Sequence, residues 1–448
     1  MVGPGPSTVQ RRHWIAALRG KPNMYRTSSL CRALTGLALA LGLIAAVPAR
    51  AQEITVWSHW AAEQIKRQYV EDAAKRFEQQ NPGVTIKLTF YEKNALYASL
   101  KTALRAGQAP DVFYAEPDQT DYIDNGLLAD LTQGVNWNAV EPWARQVWTR
   151  DKAVYGLPLE AWTVESYYNP KLLEQTGVAL PANGQLNQDQ FLDLVRKARA
   201  KNLTPLAQGV GDRPFPGSFV THEALLKKLG AADYDALLKG KLSWKDPRVT
   251  EVFAWVEQLV KAGAFPPSFT SLKLGEAHTY FYTNPGAVVF QMGSFYTSRA
   301  FNAPDKGGQP QGFPLGIMQS PAMKNGACNQ CKTIAVGGSY VVNAASKNKA
   351  KAIAFLNAFA NPEMANRWLE TVLVQTGIKG DPSKIGGPHA AYFSQLAKAN
   401  EGSQFYFGLP TQIMQGKARE VFVQVVNNAL PAGTISATDA IAQLEAAK

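Results

Sequence analysis

From Glu53 onward the chain alternates strand-like and helix-like segments, and this alternation constrains its fold more than any other feature. Residues 54–57 form a short β-rich run, and in residues 61–80 apolar side chains recur at every fourth position, which predicts a helix. An Asn-Pro-Gly break at 81–83 separates this helix from residues 84–90, where apolar and polar residues alternate as in a strand. Such an order favours the α/β class, in which helices cover both faces of a parallel sheet.

The alternation returns in the second half of the chain, at the strand-like segments 286–290 and 339–343. Between the two halves lie longer helix-like stretches at 189–200 and 249–262. The sequence shows neither an internal repeat nor a low-complexity linker of the kind that separates independent domains. Because residues 52–448 exceed what one hydrophobic core usually holds, we expect lobes between which the chain crosses several times.

The formal net charge of +11 is concentrated at the front of the 448-residue chain. Residues 1–51 hold seven Lys or Arg and no Asp or Glu, which leaves a net charge of +4 for the remainder. A charge of this size is ordinary for a soluble protein, so the composition gives no reason to expect a nucleic-acid partner.

The basic front segment has the layout of a secretory signal. Arg26 and Arg32 precede an uncharged apolar run at 33–47, and small residues at 49 and 51 form a cleavage site that would leave Gln52 as the mature N-terminus. The apolar run is shorter than a membrane span. We therefore predict that residues 1–51 are an N-terminal extension with a cleaved signal peptide, and that the mature protein is periplasmic.

Two versions of this leader remain open. Either translation starts at Met24 and residues 1–23 are an over-long start, or Arg11 and Arg12 belong to a degenerate twin-arginine signal. An arginine pair of that kind normally lies close to its apolar run, which favours the start at Met24.

Two cysteines follow the leader, Cys328 and Cys331, and export to an oxidising compartment allows a disulfide between them. A redox CxxC motif normally opens a helix beside a strand, whereas this one lies in a polar turn before the strand-like segment 333–336. A zinc site would need two more ligands, which no nearby His or Cys supplies. The favoured interpretation is a structural disulfide.

Motifs for enzymatic chemistry are scarce. The sequence has no GxxxxGK[ST] phosphate loop, no HExxH and no GxSxG motif, and its five histidines are scattered. We therefore expect no catalytic residue, no bound metal and no cofactor. The alternative is a secreted carbohydrate-active enzyme, in which Glu160 and Glu165 would be the two carboxylates that glycoside hydrolysis requires.

Aromatic rings, carboxylates and glycines cluster where predicted strands end, which is the edge at which open α/β sheets bind ligands. Flat rings stack on the apolar face of a sugar, while carboxylates and amides meet its hydroxyls. The predicted ligand-binding residues are Trp60, Glu116, Asp118, Glu160, Trp162, Phe295, Tyr296, Gly338 and Tyr340.

Core packing is the alternative for each of the rings. It is favoured for Trp57, which alternates into an apolar run, whereas the polar neighbours of Trp60 and Trp162 favour binding. The sequence does not decide between packing and binding for Trp137, Trp143 and Trp148.

Five groups of short segments, spread over nearly all of the chain after the leader, occur in a distinctive order. They are 54–57 with 77–84, 109–112 with 126–131, 154–158 with 167–169, 290–295, and 338–347. Each is a weak signal alone, but in this order they resemble the family-1 extracellular solute-binding proteins of ABC importers.

The resemblance implies a periplasmic binding protein type II fold, in which two α/β lobes joined by a hinge close on a ligand in a central cleft. It implies hinge crossings near 159–161, near 318–321 and at the end of the helix that contains Phe359. The lobes that we expect are lobe I, residues 52–160 and 321–358, and lobe II, residues 161–320 and 359–448.

The resemblance also implies a function. The chain would be a monomeric, non-enzymatic receptor that is open without ligand, closes on a mono- or oligosaccharide or a polyol, and delivers it to ABC permease subunits in the inner membrane. Trp162 falls where maltose-binding members of the family have an acid, and Phe295 where they have a tryptophan, so maltose itself is not the expected ligand.

Non-sugar solutes, such as a polyamine or a phosphorylated polyol, remain the alternative ligands. An anionic ligand would require basic residues in the cleft, and Arg213 is the one that the sequence places near it.

Overall fold

The computed structural model describes residues 52–283, 287–381 and 389–448. The predicted leader, residues 1–51, lies outside the described residues. Within the described ranges, no helix is both long enough and apolar enough to cross a membrane.

The strands follow the predicted alternation. In chain order they are β1 (Gln52–Ser58), β2 (Val84–Phe90), β3 (Val112–Ala115), β4 (Thr149–Arg150), β5 (Ala153–Val154), β6 (Leu157–Pro158), β7 (Ala161–Tyr168), β8 (Gln185–Asn187), β9 (Thr204–Leu206), β10 (Ala287–Gly293), β11 (Gly316–Ala322), β12 (Cys331–Val336), β13 (Ser339–Val342) and β14 (Gln404–Phe407).

The helices lie between these strands and after them. They are α1 (Gln64–Gln80), α2 (Lys93–Arg105), α3 (Asp121–Asp124), α4 (Pro142–Val147), α5 (Pro170–Thr176), α6 (Gln188–Ala200), α7 (Phe219–Leu238), α8 (Pro247–Lys261), α9 (Leu274–Thr283), α10 (Thr297–Ala300), α11 (Lys349–Asn357), α12 (Pro362–Thr371), α13 (Ala390–Asn400), α14 (Pro410–Ile413), α15 (Gly416–Phe422) and α16 (Ala437–Ala446). A π-helical turn, Val423–Ala429, continues directly from α15.

Local sequence signals set several of these boundaries. The side chain of Asn187 accepts a hydrogen bond from the backbone N–H of Gln190, and the side chain of Gln190 accepts one from the backbone N–H of Asn187, so a capping box begins α6. Helix α5 begins with Asn169 as its N-cap and ends at Gly177, whose φ of 70° lies in the left-handed region that favours glycine.

Two sheets form the centres of the two lobes. The first has the strand order β2-β1-β3-β13-β6, with β1 parallel to β2 and β3. The second has the order β14-β12-β7-β10-β9, with β11 also paired to β7. Both sheets are mixed rather than purely parallel. In the first sheet β13 runs antiparallel to β3, and in the second sheet β7 runs antiparallel to β12. Each of these strands, β13 and β7, directly follows a crossing of the chain between the lobes.

The first crossing between lobes agrees with the expectation near 159–161: β6 belongs to the first sheet and β7 to the second. The second crossing does not lie near 318–321. Strand β11 pairs only within the second sheet, and the chain crosses instead at Gly337 and Gly338, between β12 and β13.

The expected lobe boundaries therefore shift after residue 320. The sheet pairing of β12 places residues 331–336 in lobe II rather than lobe I. Trp368 and Ile378 pack in the core of the first sheet, so α12 belongs to lobe I, whereas Tyr392 packs against the second sheet. Core packing, which pairs segments far apart in sequence, decides these assignments.

The cysteines lie at the start of β12. The sulfur atoms of Cys328 and Cys331 are bonded, and both residues are buried in the core of lobe II. The Lys227 Nζ donates to the carbonyl oxygens of Asn329 and Cys331, at 2.7 and 2.8 Å, so the turn between the cysteines is also tied to helix α7.

We predict that the double variant C328S/C331S unfolds with a free energy about 2 kcal/mol lower than that of the wild type, because a short closed loop limits the unfolded chain. Urea denaturation of both proteins measures this difference. A reductant should lower the stability of the wild type by the same amount and leave the double variant unchanged. Equal stability of the oxidised wild type and the variant would contradict a structural role for the disulfide.

Candidate functional site

A cleft of about 930 Å³ lies between the two sheets, at the carboxyl ends of β1 and β3 and beside the crossings at 159–161 and 337–338. Seven acidic and six basic side chains line it, so its charges nearly balance. Among the described residues, no group of three or more His, Cys, Asp or Glu side chains is arranged to hold a metal ion. The cleft is therefore polar, close to neutral, and large enough for a small-molecule ligand.

Six of the nine residues predicted from the sequence to bind ligand line this cleft. They are Glu116, Asp118, Glu160, Trp162, Phe295 and Gly338.

The other three, Trp60, Tyr296 and Tyr340, are fully buried and do not line it. Trp60 packs edge-on against Tyr340 in the core of lobe I, and the Tyr340 hydroxyl donates to Ser58 Oγ. Tyr296 stacks on Tyr167 in the core of lobe II. Whether a ring near a strand end faces the cleft or the core is a distinction that the sequence pattern does not make.

The floor of the cleft is a buried ionic triad. Lys66 Nζ of helix α1 lies 2.8 Å from a Glu63 carboxylate oxygen and 2.9 Å from Glu160 Oε2 on the first crossing. Burial alone would favour the neutral amine, but the Glu160 and Glu63 carboxylates raise the pKa of Lys66. Lys66 therefore stays protonated and joins lobe I to the crossing segment.

A second charged cluster surrounds Glu116 at the end of β3. Its carboxylate accepts hydrogen bonds from Lys93 Nζ at 2.5 Å, Tyr97 at 2.7 Å and Tyr114 at 3.0 Å. Burial by itself would raise the pKa of Glu116, but the Lys93 charge and the hydrogen bonds lower this pKa to about 2. Glu116 is thus a fixed anion whose bonding capacity is largely taken up by lobe I.

Asp118 and Arg419 form an ion pair across the cleft, from lobe I to helix α15 of lobe II, at 3.3 Å. Burial, together with the neighbouring Glu116 charge, raises the pKa of Asp118 to about 6, and Arg419 only partly opposes this shift. Two further contacts link the lobes: the Arg213 guanidinium lies over the Tyr97 ring, and Lys306 Nζ donates to Gln64.

Trp162 and Phe295 form the aromatic wall of the cleft. Their rings meet edge to face, with centroids 5.2 Å apart, and Phe215 packs against both. A β-carbon at Gly293 would lie 2.2 Å from the Phe295 ring and 2.8 Å from the Trp162 ring, so only glycine leaves room for them. The half-buried Phe295 ring presents apolar surface beside the charged floor, and Trp162, which is 5% exposed, supports it.

Several lining residues were not predicted, among them His59, Lys66, Lys93 and Arg299. Arg299 had a usable signal, because it follows the predicted Phe295 by four residues and so shares its helical face. Lys66 had one as well, because it precedes Tyr69 by three residues and Val70 by four and so lies on the buried face of α1.

Asn427 is a further residue that sequence reasoning missed. It lines the cleft from the π-helical turn, is 1% exposed, and neither polar atom of its amide has a partner among the described residues. π-Helical turns are found often at functional sites. The Asn427 amide therefore has an unused donor and an unused acceptor at the cleft wall.

Known proteins that resemble the chain are binding proteins. The family described as "Bacterial extracellular solute-binding protein" matches residues 61–366. A lactose-binding protein of Rhizobium radiobacter is 25% identical over 178 residues, which are 38% of this chain and 42% of the relative. A multiple sugar-binding protein of Streptococcus mutans is 28% identical over 136 residues, 30% of this chain and 31% of the relative. The chain thus spans less than half the length of these curated relatives.

Solved structures match over a larger share of the chain. A chitin oligosaccharide binding protein gives a TM-score of 0.74 at 20% identity and covers 88% of this chain and 97% of its own. An ABC substrate-binding protein of Listeria monocytogenes in complex with cycloalternan gives 0.67 at 17% identity, with the same coverage of 88% and 97%. At these identities the likeness shows the fold, which is two-lobed as expected.

We predict that the Asp118→Asn variant has a flatter dependence of melting temperature on pH than the wild type. The pKa of Asp118 is raised in the folded state, so the folded protein holds this proton more tightly than the unfolded chain, and wild-type stability falls as the pH rises from about 4 to about 6. The variant cannot ionise at this position, so its stability does not include this decrease with pH.

Differential scanning fluorimetry of both proteins from pH 4 to pH 7 measures the effect. The melting temperature of the variant relative to the wild type should increase across this window and then level off. Parallel curves would show that Asp118 titrates normally.

Proposed function

Because the chain belongs to the bacterial extracellular solute-binding protein family, we propose that it is the substrate-binding component of an ABC importer that takes a carbohydrate into the cleft between its lobes. It then delivers the bound sugar to permease subunits in the inner membrane. We propose that it acts as a periplasmic monomer, exported by the leader at residues 1–51.

The observation that carries the proposal is the Trp162 and Phe295 wall beside a polar cleft. Pyranose rings have an apolar C–H face, which packs on aromatic rings, and hydroxyl groups, which bond to charged and amide side chains. The lining charges of the cleft nearly balance, so a neutral polyhydroxylated solute can enter without leaving a large net charge buried. Relatives and structural neighbours named for lactose, multiple sugars, chitin oligosaccharides and raffinose support this ligand class.

The rival function is a secreted carbohydrate-active enzyme that uses Glu160 and Glu165. Glu165 does not face the cleft: it is fully buried in the second sheet, where Lys332 Nζ lies 2.9 Å from its carboxylate. Glu160 does line the cleft, but its carboxylate is bonded to Lys66. Since glycoside hydrolysis requires two carboxylates that flank one bond, the geometry favours a binding protein over this enzyme.

An anionic solute is the second candidate ligand class. It is favoured by Arg213 and Arg299, which line the cleft on the side of lobe II and have no carboxylate within 4.0 Å among the described residues. A polyamine is less well supported, because internal donors already occupy most of the cleft carboxylates, such as Glu63, Glu116 and Glu160.

We predict that Phe295→Ala weakens sugar binding roughly tenfold, because the variant removes a stacking surface from the cleft wall. Thermal-shift screening of the wild type with lactose, raffinose, xylobiose, diacetylchitobiose, galactose and sugar acids selects the sugar, since a ligand that binds only the folded state raises the melting temperature. Isothermal titration calorimetry of wild type and variant then measures the affinity.

The matched control is Phe405→Ala, which removes the same ring from an exposed position outside the cleft. Its affinity should equal that of the wild type. Wild-type protein that binds none of these sugars would refute the proposed function, and equal losses in the two variants would refute the assignment of the wall.

A further inference from the structure

Arg299 lies beside the aromatic wall of the cleft. Phe295, Ser298 and Arg299 all line the cleft, and their positions, three and four residues apart on a continuous helical segment, put them on one face. This spacing allows one ligand to contact both Phe295 and Arg299.

The guanidinium of Arg299 is not neutralised by the protein. It is half-buried, and among the described residues it has no hydrogen bond or ion pair within 4.0 Å. Arg299 interacts electrostatically with Glu63, but the Glu63 carboxylate is already paired with Lys66 at 2.8 Å. Other cleft arginines are engaged: Arg419 with Asp118, and Arg213 with the Tyr97 ring.

The fold leaves room for this cation. A β-carbon at Gly275 would lie 2.7 Å from Arg299 Nη1, so the glycine forms a notch into which the guanidinium fits. Beneath the wall, burial and the Arg299 charge together lower the pKa of His278 well below its usual value, so that histidine stays neutral. The position therefore holds one accessible positive charge.

Neighbouring charges do not provide a partner for it. Lys273, just before the notch, is exposed and is also without an acidic partner among the described residues. Two cleft-lining acids beside Lys273 accept hydrogen bonds from backbone groups: Asp212 Oδ1 accepts from Leu274 N at 2.7 Å, and Glu276 Oε2 accepts from Lys273 N at 2.9 Å.

Closure of the lobes on a ligand removes water from Arg299, and a cation that loses water without gaining a partner destabilises the complex. A carboxylate or phosphate would compensate through charge-assisted, bidentate hydrogen bonds. We propose that the cleft binds an acidic carbohydrate, whose anionic group pairs with Arg299 while its ring packs on Phe295. This inference rests on the proposed function and narrows its substrate class.

The test compares acidic and neutral sugars of matched shape by isothermal titration calorimetry on the mature protein. The pairs are galacturonate with galactose, glucuronate with glucose, and digalacturonate with α-1,4-galactobiose. Glucose 1-phosphate and galactose 1-phosphate form the phosphate arm. We expect at least one acidic sugar to bind at least tenfold more tightly than its neutral partner, with an affinity that falls as NaCl rises from 50 to 500 mM. The arm that binds identifies the anionic group as carboxylate or phosphate.

Arg299→Gln should weaken binding of the acidic sugar at least tenfold and binding of the neutral sugar less than threefold. Because Arg299 bonds to no protein group, the melting temperature of the ligand-free variant should match or exceed that of the wild type. The control Arg196→Gln, at an exposed arginine on α6 outside the cleft, should change neither affinity.

Neutral sugars that bind as tightly as their acidic partners would overturn the inference and leave the proposed function standing. The same holds if Arg299→Gln weakens both classes equally, or if it lowers the melting temperature by several degrees, which would indicate a structural role. Failure of every acidic and neutral sugar to bind the wild type would refute the inference and the proposed function together.

Discussion

The buried contact between Lys66 and Glu160 is the interaction on which the arrangement of the cleft depends. It joins the first helix of lobe I to the segment where the chain first crosses to lobe II, and both side chains are almost wholly buried. Removing one partner from such a pair leaves an uncompensated buried charge, which typically costs about 3–5 kcal/mol. The pair therefore holds the first crossing, and with it the start of β7 that carries Trp162, against lobe I.

The cleft combines fixed charges with a few groups that remain free. Lys66 and Glu116 form their hydrogen bonds with neighbouring protein groups. They therefore determine the shape of the cleft more than they bind the ligand directly. The half-buried ring of Phe295 keeps free surface, and the guanidinium of Arg299 keeps free donors. A receptor that must release its ligand benefits from this division, because only a small set of contacts forms and breaks with each cycle.

Local signals predicted most of the fold, and long-range packing decided most of what they missed. The helices expected at 189–200 and 249–262 are α6 and α8. They were predictable because the spacing of apolar residues and the N-cap residues are properties of the local sequence. The second crossing was misplaced, because nothing local distinguishes β11 from a strand that changes sheets. In the site, the pattern of aromatic and polar residues at strand ends correctly predicted that Phe295 lines the cleft. The same pattern could not show whether a ring such as Trp60 faces the cleft or the core, because that depends on packing against residues distant in sequence. The resemblance to extracellular solute-binding proteins is confirmed by the family match.

The proposed function requires that the two lobes close on a carbohydrate. Contacts such as Asp118 with Arg419 and the stacked rings of Trp143 and Phe407 join the lobes directly, and they can form only when the lobes approach each other. Small-angle X-ray scattering with and without a saturating sugar, chosen by calorimetry, tests the claim most directly. We expect a smaller radius of gyration with the sugar bound, and an unchanged radius of gyration at saturation would contradict closure of the lobes.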